Sequence, residues 1–313
     1  MAITVTQGYD YIRLYDKQNG STRAQSVYLK ILNDTCREIY GAAGCPDFTV
    51  RSTRVSLAAP YSTGTVSIVA GDTTVTGSGT TFTSAMVGRH IRFNGEAEQY
   101  RITAYTGATS ISVENYLGPS NLSAVTYTIT DERKAMPTNC RSIHQIVTAN
   151  ASGSRGSLYY LQPKPFEYLN LMRQTYQTSD YPYYFATKWE PPTSGNVPVG
   201  YYYLYPATST AQIVTVFYNI WPTEVSSGSD QLPIPYEWEH VAREYFLAFL
   251  YRENKDQNWQ AQWSKAQAAA AAAMAATRSN TAHRQRVEWT PPTKLDNYRE
   301  PVIDPDVLAQ LDP

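Results

Sequence analysis

Residues 232–251 read LPIPYEWEHVAREYFLAFLY, and residues 254–276 read NKDQNWQAQWSKAQAAAAAAMAA. The two prolines before Tyr236 block helix upstream and suit the first turn of a helix that follows. Beyond them, apolar residues recur at helical spacing and form a wide apolar face. Asn254 followed by Gln257 resembles a capping box, which would start a second helix. These stretches therefore predict two consecutive helices.

The aromatic residues of these two helices are the predicted packing contacts, between helices or between subunits: Trp238, Tyr245, Phe249, Trp259 and Trp263. The run Ala268 to Ala273 has the strongest helix-forming composition in the chain, and its small side chains let another backbone come close. Two interpretations remain open. The pair forms an intramolecular helical hairpin, since most helical stability comes from packing an amphipathic face, or the second helix packs against neighbouring subunits in a ring.

A further helix is predicted from about Thr22 to Tyr40, where Tyr28, Ile31 and Leu32 lie on the buried side. Gly41 follows its last residue and supplies a stop. Residues 1–19, before this helix, are predicted to be short strand or loop. The helix is long enough to pack on the C-terminal pair, which would make a small bundle from parts that are distant in sequence.

Residues 60–130 are rich in Thr, Ser, Gly and β-branched residues and have no helical period. Turn-forming residues separate short strand candidates at nearly regular spacing. The predicted strands are Thr65 to Val69, Thr73 to Thr76, Arg89 to Phe93, Gln99 to Ala104, Ser110 to Glu114 and Val125 to Thr130. This pattern is typical of a compact barrel or sandwich. We therefore predict a self-contained β-domain inserted into another fold.

After this segment the chain is predicted to resume its first domain. The predicted elements are a hairpin of residues 142–148 and 157–161, a short helix over 164–173, and strands over 183–189, 200–205 and 212–220. The predicted fold class is α+β: a small helical bundle, antiparallel β-strands and an inserted β-barrel or sandwich. The predicted domains are residues 1–59 and 131–278 for the core, 60–130 for the insert and 279–313 for an extended C-terminal arm.

The predicted arm is rich in proline and has no sustained periodicity, and the helical pattern is predicted to end at Thr277. Apolar residues nevertheless recur along it like anchors: Val287, Trp289, Leu295, Tyr298, Val302, Ile303, Val307, Leu308 and Leu311. This spacing suits an extended segment that becomes ordered on a partner. The alternative is a solvated tail, which is common at chain termini.

Composition excludes several classes of function. The net charge of the 313 residues is −1 and only 17% are charged, which argues against a basic nucleic-acid-binding surface. No apolar run is long enough to span a bilayer, and the N-terminus does not resemble a signal peptide. Three cysteines make neither a disulfide framework nor a zinc motif. We expect reduced thiols, no membrane association and synthesis in a cytoplasm.

Tyrosine is unusually frequent, with 26 residues against 8 phenylalanines. A tyrosine covers apolar area and keeps a polar tip, so it suits surfaces that become buried on assembly. Strands with one solvent-exposed face would explain the same enrichment. Both interpretations stay open at this point.

The sequence contains no motif for catalysis or for a cofactor. It has no nucleophile elbow, no zinc-protease helix, no phosphate-binding loop and no dinucleotide fingerprint. His240 and Glu244 lie one helical turn apart, but a zinc site needs three or four ligands, so a structural role is favoured. We predict no catalytic, cofactor-binding or metal-binding residues, and no enzymatic activity.

The order of elements resembles that of the head-to-tail adaptor proteins, also called connector or neck proteins, of tailed bacteriophages. Three features that carry the resemblance are the helix with Tyr28, Ile31 and Leu32, the strand entry at Met136-Pro137 and the helix at 165–173. The others are the segments 201–206 and 214–218, the helix that opens at 232–236, and the following helix with Trp259 and Trp263. Residues 65–88 also resemble a small β-domain that recurs in phage structural proteins.

The resemblance implies a structural virion protein rather than an enzyme. Such adaptors form a homo-oligomeric ring, usually a dodecamer, at the neck between capsid and tail. The ring binds the portal protein on one side and tail or nozzle proteins on the other, and DNA passes through its channel without sequence-specific binding. The implied portal-binding residues of the arm are Val287, Trp289, Leu295, Tyr298, Val302, Ile303 and Leu308.

An alternative function is a tail, baseplate or fibre-docking module. In that case the inserted β-domain would bind host-surface glycan or another tail protein. A phage-associated hydrolase is a third possibility, for which the sequence offers no candidate residue.

Overall fold

A computed structural model describes residues 3–16, 24–42, 47–149, 158–174, 178–191 and 198–282. These residues contain five α-helices and seventeen strands, most of them antiparallel, so the predicted α+β class is confirmed. The helices are α1 (Val5–Tyr15), α2 (Gln25–Gly41), α3 (Phe166–Gln174), α4 (Glu239–Glu253) and α5 (Trp259–Ala282). Short 3-10 turns lie at Asp47–Thr49, Ser84–Met86 and Tyr236–Trp238.

The strands in chain order are β1 (Val50–Leu57), β2 (Thr65–Ile68), β3 (Thr74–Ser78), β4 (His90–Phe93), β5 (Tyr100–Gly107), β6 (Ser110–Val113), β7 (Leu122–Val125), β8 (Tyr127–Thr130), β9 (Arg133–Ala135), β10 (Cys140–Ala149), β11 (Leu158–Tyr160), β12 (Gln162–Pro163), β13 (Thr178–Ser179), β14 (Tyr184–Glu190), β15 (Val199–Tyr205), β16 (Ala207–Thr208) and β17 (Gln212–Ile220).

The described chain divides into two compact units. Unit 1 is formed by described residues of Met1–Arg51, Thr138–Ser142 and Tyr218–Pro291. Unit 2 is formed by described residues of Ser52–Pro137 and Ile143–Phe217.

Unit 1 begins with a helix where strand or loop was predicted, so that prediction was wrong. Thr4 and Gln7 form a capping box: the Thr4 Oγ1 accepts the Gln7 amide at 3.2 Å, and the Gln7 side chain accepts the Thr4 amide at 2.9 Å. Val5, Tyr9 and Ile12 then recur at helical spacing and are buried. The helix of only 11 residues forms because this face packs into the unit 1 core.

The predicted helix over 22–40 is confirmed as α2, although it starts three residues later and ends at Gly41. Its buried face includes Tyr28, Ile31 and Leu32, as predicted. The Tyr28 hydroxyl donates to the buried Asp16 carboxylate at 3.1 Å, just beyond the end of α1. One buried carboxylate thus receives a partner from the neighbouring helix.

The two predicted C-terminal helices are present, but their junction differs from the prediction. Asn254 is the C-cap of α4 rather than the start of a second helix. Lys255 follows with φ +55°, and Asp256 then accepts the amide of Asn258 at 2.8 Å before α5 begins at Trp259. Because Asn254 closes one helix, its capping box with Gln257 does not form. At the other end, α5 continues past Thr277 to Ala282, since adding residues to an existing helix needs no new nucleus.

One hydrophobic core contains buried residues of α1, α2, α4 and α5. Trp263 of α5 lies edge-on to two α4 rings, with centroids 5.5 Å from Tyr245 and 5.3 Å from Phe249. Ala266 and Ala270 are fully or almost fully buried on the same helix. The small side chains therefore allow close packing of α5 on this core.

Two of the four sheets are built mainly from the segments after residue 130. One has the order β1-β17-β10-β11, and its β10–β11 pair confirms the predicted hairpin. The other has the order β12-β14-β15-β9, with seven residue pairs between β14 and β15. Helix α3 buries Leu169 and Met172 against tyrosines of β14 and β15. A two-stranded sheet, β13-β16, completes this part of the fold.

The segment over residues 65–130 forms one seven-stranded sheet with the order β7-β2-β3-β6-β5-β4-β8. All its paired strands are antiparallel, and its apolar residues form a core of their own. Each predicted strand is found within a few residues of its predicted bounds, and the last candidate, Val125 to Thr130, corresponds to β8. Strand β7, which precedes it, was not predicted. No helix in the described residues is long and apolar enough to cross a bilayer.

The two tryptophans of α5 provide a test of this core. Trp263→Ala should lower the free energy of unfolding by about 3 kcal/mol, because it leaves a cavity against Tyr245 and Phe249. Trp259 lies one turn earlier, is half-buried and lies outside the core cluster. Trp259→Ala is therefore the matched control and should cost less than about 1 kcal/mol. Denaturant-induced unfolding of both variants would measure this difference, and equal losses would contradict the packing described here.

Candidate functional site

Unit 2 contains a concentration of charged side chains that are almost inaccessible to solvent. Asp131, Glu132 and Arg133 are consecutive in sequence, and Arg133 is the first residue of β9. They meet His90 of β4 and Arg173 of α3, and all five are less than a tenth exposed. Charged residues are rarely buried to this degree unless they are paired. The cluster is therefore the most unusual electrostatic feature of the described residues.

Glu132 and Arg173 form the most deeply buried ion pair. The Arg173 Nε donates to Glu132 Oε1 at 2.6 Å, and its Nη2 contacts the same oxygen. Nη2 also donates to the side-chain oxygen of Gln99 at 2.8 Å. Because Glu132 is 2% exposed and Arg173 6%, water cannot replace either partner. Removing one of them would leave an uncompensated buried charge.

Glu190, at the end of β14, is a second centre of the network. Its carboxylate accepts from Arg133 Nη2 at 2.7 Å, from Arg101 Nη1 at 3.2 Å and from the Tyr203 hydroxyl at 2.9 Å. Burial alone raises the pKa of Glu190, but the Tyr203 hydrogen bond and the two arginines outweigh it, so the pKa is lowered. Arg133 also lies 3.4 Å over the ring centre of Tyr201.

Asp131 lies at the start of this charged run and contacts three further groups. Its Oδ2 accepts from Lys134 Nζ and from the Ala58 amide, each at 2.7 Å. Arg89 Nε lies 3.9 Å from the other oxygen. The carboxylate therefore joins the chain just after β1 to the strand β9.

His90 differs from its neighbours because its Nδ1 atom is buried without a hydrogen-bond partner among the described residues. This atom lies 3.8 Å from Glu132 Oε1, which is too far for a hydrogen bond. Burial lowers the pKa of His90 well below its usual value, and the positive charges of Arg173, Arg133 and Arg101 lower it further. The imidazole is therefore neutral at neutral pH.

An open cleft of about 530 Å³ borders this network. The segment before and within β5 contributes Glu98, Gln99 and Arg101 to its lining. Helix α3 and strands β14 and β15 contribute further lining residues, among them Phe166, Asn170, Lys188, Tyr201 and Tyr203. The cleft contains paired charges, aromatic rings and exposed polar groups together.

The described residues offer little for nucleophilic or metal-dependent chemistry. They contain no group of three or more His, Cys, Asp or Glu side chains that could hold a metal ion. Burial raises the pKa of the Cys36 thiol to about 12 and that of Cys140 to about 11, so neither is a reactive thiolate. His240 is exposed, and Glu244 is paired with Lys265 at 3.0 Å.

The residues predicted as sites fall into two groups. The seven predicted portal-binding residues of the arm lie outside the described residues. Of the predicted packing residues, Trp238, Tyr245 and Phe249 are buried in the unit 1 core, Trp263 packs against it, and Trp259 is half-buried outside it. The structure brings the first four together within one chain, and a subunit contact by any of them stays a prediction.

The buried network was missed by sequence reasoning. A usable signal was the run Asp131-Glu132-Arg133-Lys134, four consecutive charged residues in a chain that is only 17% charged. The partners of this run could not be named from the sequence. Arg173 lies 41 residues after Glu132, and Glu190 lies 57 residues after Arg133.

Comparison with known families decides the type of protein. A family model described as SU10 adaptor protein matches residues 106–294, which is more than half of the chain. The chain belongs to the SU10 adaptor protein family. It is thus an adaptor-type phage protein, in agreement with the resemblance found in the sequence. A comparison with curated proteins finds no match.

The part of this adaptor that the family model matches includes much of the buried network. Glu132, Arg133, Arg173, Glu190 and Tyr203 all lie within residues 106–294. Three of their partners lie before the matched range: His90 of β4, Gln99 just before β5 and Arg101 of β5. The network of this adaptor therefore joins matched and unmatched segments within unit 2.

The first prediction for this site concerns the Glu132–Arg173 pair. Glu132→Gln keeps the shape of the side chain but leaves the Arg173 charge buried and uncompensated, so stability should fall by about 3–5 kcal/mol. The control is Glu114→Gln, which breaks a pair with Arg101 in which the Glu114 side chain is 49% exposed. That change should cost at most about 1 kcal/mol. The free energies of unfolding, measured with denaturant, should differ accordingly; a similar effect of both substitutions would argue against a tightly paired network.

The second prediction concerns pH. As the pH falls below about 6.5, the unfolded chain protonates His90 while the folded chain does not, because the folded pKa is well below this value. The contribution of His90 to the free energy of unfolding is therefore fully present above about pH 6.5. Below this pH it decreases by up to about 1.4 kcal/mol per pH unit. Replacing this histidine with glutamine, His90→Gln, should remove that part of the slope.

The groups that face His90 are Glu132, Arg173, Arg133, Arg101 and Tyr203. His144→Gln, at an exposed position of β10, is the matched control. Denaturation curves between pH 5 and 7.5 would compare the three proteins. If the free energy of unfolding of His90→Gln depended on pH as steeply as that of the unchanged protein, the pKa of His90 would not differ between the folded and unfolded states.

Proposed function

We propose that this protein is a head-to-tail adaptor of a tailed phage. Twelve copies assemble into a ring at the neck of the virion, between the portal protein and the tail or nozzle proteins. The ring continues the DNA channel, and its role is structural rather than enzymatic. Residues 279–313 act as the arm that binds the portal.

The observation that carries this proposal is the match to the adaptor family. It runs from strand β5 through α5 and extends twelve residues beyond the last described residue, Ala282. It therefore includes the helix α5 and the first two predicted anchors of the arm, Val287 and Trp289. Within the proposal, residues 1–59 and 131–278 form the adaptor core and residues 60–130 an inserted domain.

The surface of unit 1 supports an assembly role. Leu14 of α1 is 78% exposed, and Tyr236 before α4 is 63% exposed, although the same elements bury other apolar residues completely. Single exposed apolar residues are common, but side chains of this size are also the usual anchors of protein interfaces. We propose that these residues and Trp259 contact neighbouring subunits or the portal.

The charge of the chain suits a DNA channel. A net charge of −1 over 313 residues gives no general attraction for phosphate. Affinity for DNA grows with the number of phosphate charges that a protein neutralises, so a weakly charged wall lets DNA pass. This supports passage without sequence-specific binding.

Truncation of the arm tests the proposal. A chain that ends at Ala282 keeps every described residue, so it should fold and lose binding to the portal of the same phage. The measurement is mass photometry of each protein mixed with purified portal. The full chain should give a ring-on-ring complex, and the truncated chain should not. A truncated chain that binds portal as well as the full chain would overturn the role of the arm.

Substitutions within the arm separate specific contacts from its mere presence. The double variant Trp289→Ala/Tyr298→Ala should weaken portal binding at least about tenfold, because aromatic anchors dominate interfaces. Thr293→Ala, between them, is the control and should bind like the full chain. Failure of the full chain itself to form a complex with portal would overturn the adaptor proposal as a whole.

A further inference from the structure

We infer that the cleft of unit 2 is a binding site for an uncharged, hydroxyl-rich ligand, of the class of neutral saccharides. This inference goes beyond the adaptor role and does not depend on ring assembly. It rests on the pairing of charges in the cleft, on the groups left unpaired at its rim and on its aromatic wall.

The charges of the cleft floor are already matched. Arg173 pairs with Glu132, Arg133 with Glu190, and Arg101 with both Glu190 and Glu114. His90, which borders the same floor, is neutral. Arg173, Arg101 and Glu190 line the cleft, and each contacts an opposite charge; Glu132 and Arg133, which pair with Arg173 and Glu190, are not lining residues. These three lining groups offer no uncompensated charge to an ionic ligand.

The rim, in contrast, has hydrogen-bonding groups without partners among the described residues. Lys188 Nζ lies 4.3 Å from the ring centre of Phe166 and forms no ion pair there, and the side chain of Asn170 is exposed. The Gln99 oxygen is occupied by Arg173, which leaves its amide nitrogen as a donor. Glu98 and Glu114 each use one oxygen, toward Tyr100 and Arg101, and keep the other.

These free groups are donors and acceptors side by side. An anion would satisfy only the donors, and a cation would satisfy only the carboxylates. A hydroxyl both donates and accepts, so a ligand with several hydroxyls satisfies both kinds of group at once. The polar chemistry of the rim therefore favours a polyhydroxylated ligand over an ion.

The aromatic wall and the size of the cleft agree with this ligand class. The Phe166 and Tyr203 rings meet edge-on with centroids 4.9 Å apart, and Arg133 covers Tyr201, so this wall is held rigid. Tyr203 is almost fully buried, so the half-buried rings of Phe166 and Tyr201 supply the apolar area for the carbon–hydrogen faces of a sugar. A volume of about 530 Å³ lies in the range of small-molecule sites, which is about 300–1,000 Å³.

The test uses the full chain and a panel of neutral saccharides at millimolar concentration: glucose, galactose, mannose, N-acetylglucosamine, maltose and lactose. Saturation-transfer NMR identifies binders, and titration gives their affinities. We expect at least one saccharide to bind, with little effect of added salt, because screening acts on charges. No binding by any member of the panel would overturn the inference.

Matched variants then locate the site. Lys188→Met keeps the aliphatic stem over Phe166, and Asn170→Ala removes an exposed side chain, so neither should unfold the protein. Each should weaken saccharide binding about tenfold, the effect of losing one good hydrogen bond. Lys265→Met, on the surface of α5 in unit 1, should bind like the unchanged chain.

Two results would contradict the assignment. Saccharide binding that survives both Lys188→Met and Asn170→Ala would place the ligand elsewhere. Binding of sulfate or of acidic sugars, without binding of neutral ones, would show that the cleft recognises charge and would overturn the neutral class.

Discussion

The ion pair between Glu132 and Arg173 is the constraint on which unit 2 depends. Both groups are almost completely buried, so their desolvation must be offset by contact with each other and with Gln99. A buried pair of this kind adds little stability over an apolar substitute, but it tolerates only one arrangement of its partners. Because the partners come from the residue before β9, from α3 and from the chain just before β5, the pair fixes how the seven-stranded sheet meets α3.

The remainder of the network extends this constraint. Glu190 joins β14 to Arg101 of the seven-stranded sheet, and Asp131 joins β9 to the chain after β1. The contacts are charged and directional, unlike the apolar contacts within each core. In such a charged contact the outermost polar groups stay exposed to solvent, and these groups form the rim of the cleft. The polar surface is thus a consequence of how the two parts of unit 2 are held together.

The sequence predicted the regular elements well where one signal dominated. Alternating β-branched residues and turn chemistry located the strands of residues 65–130, and helical spacing located α2, α4 and α5. One local signal was overlooked and another was misread. Thr4 and Gln7 capped an unexpected helix, while Asn254 and Gln257 did not cap an expected one, because Asn254 closes α4. The buried network could not be derived, since its partners are far apart in sequence and no periodicity relates them.

The abundance of tyrosine has a cause that composition alone did not reveal. Several tyrosines are core residues whose hydroxyls reach a hydrogen-bond acceptor: Tyr28 bonds to Asp16, Tyr127 to the Thr63 carbonyl and Tyr203 to Glu190. The ring supplies apolar packing and the hydroxyl satisfies a polar group, so one residue does what would otherwise need two. Enrichment in tyrosine is therefore weaker support for assembly than it first suggests. The proposed assembly is supported instead by exposed residues such as Leu14 and Tyr236, which the folding of the single chain leaves exposed to solvent.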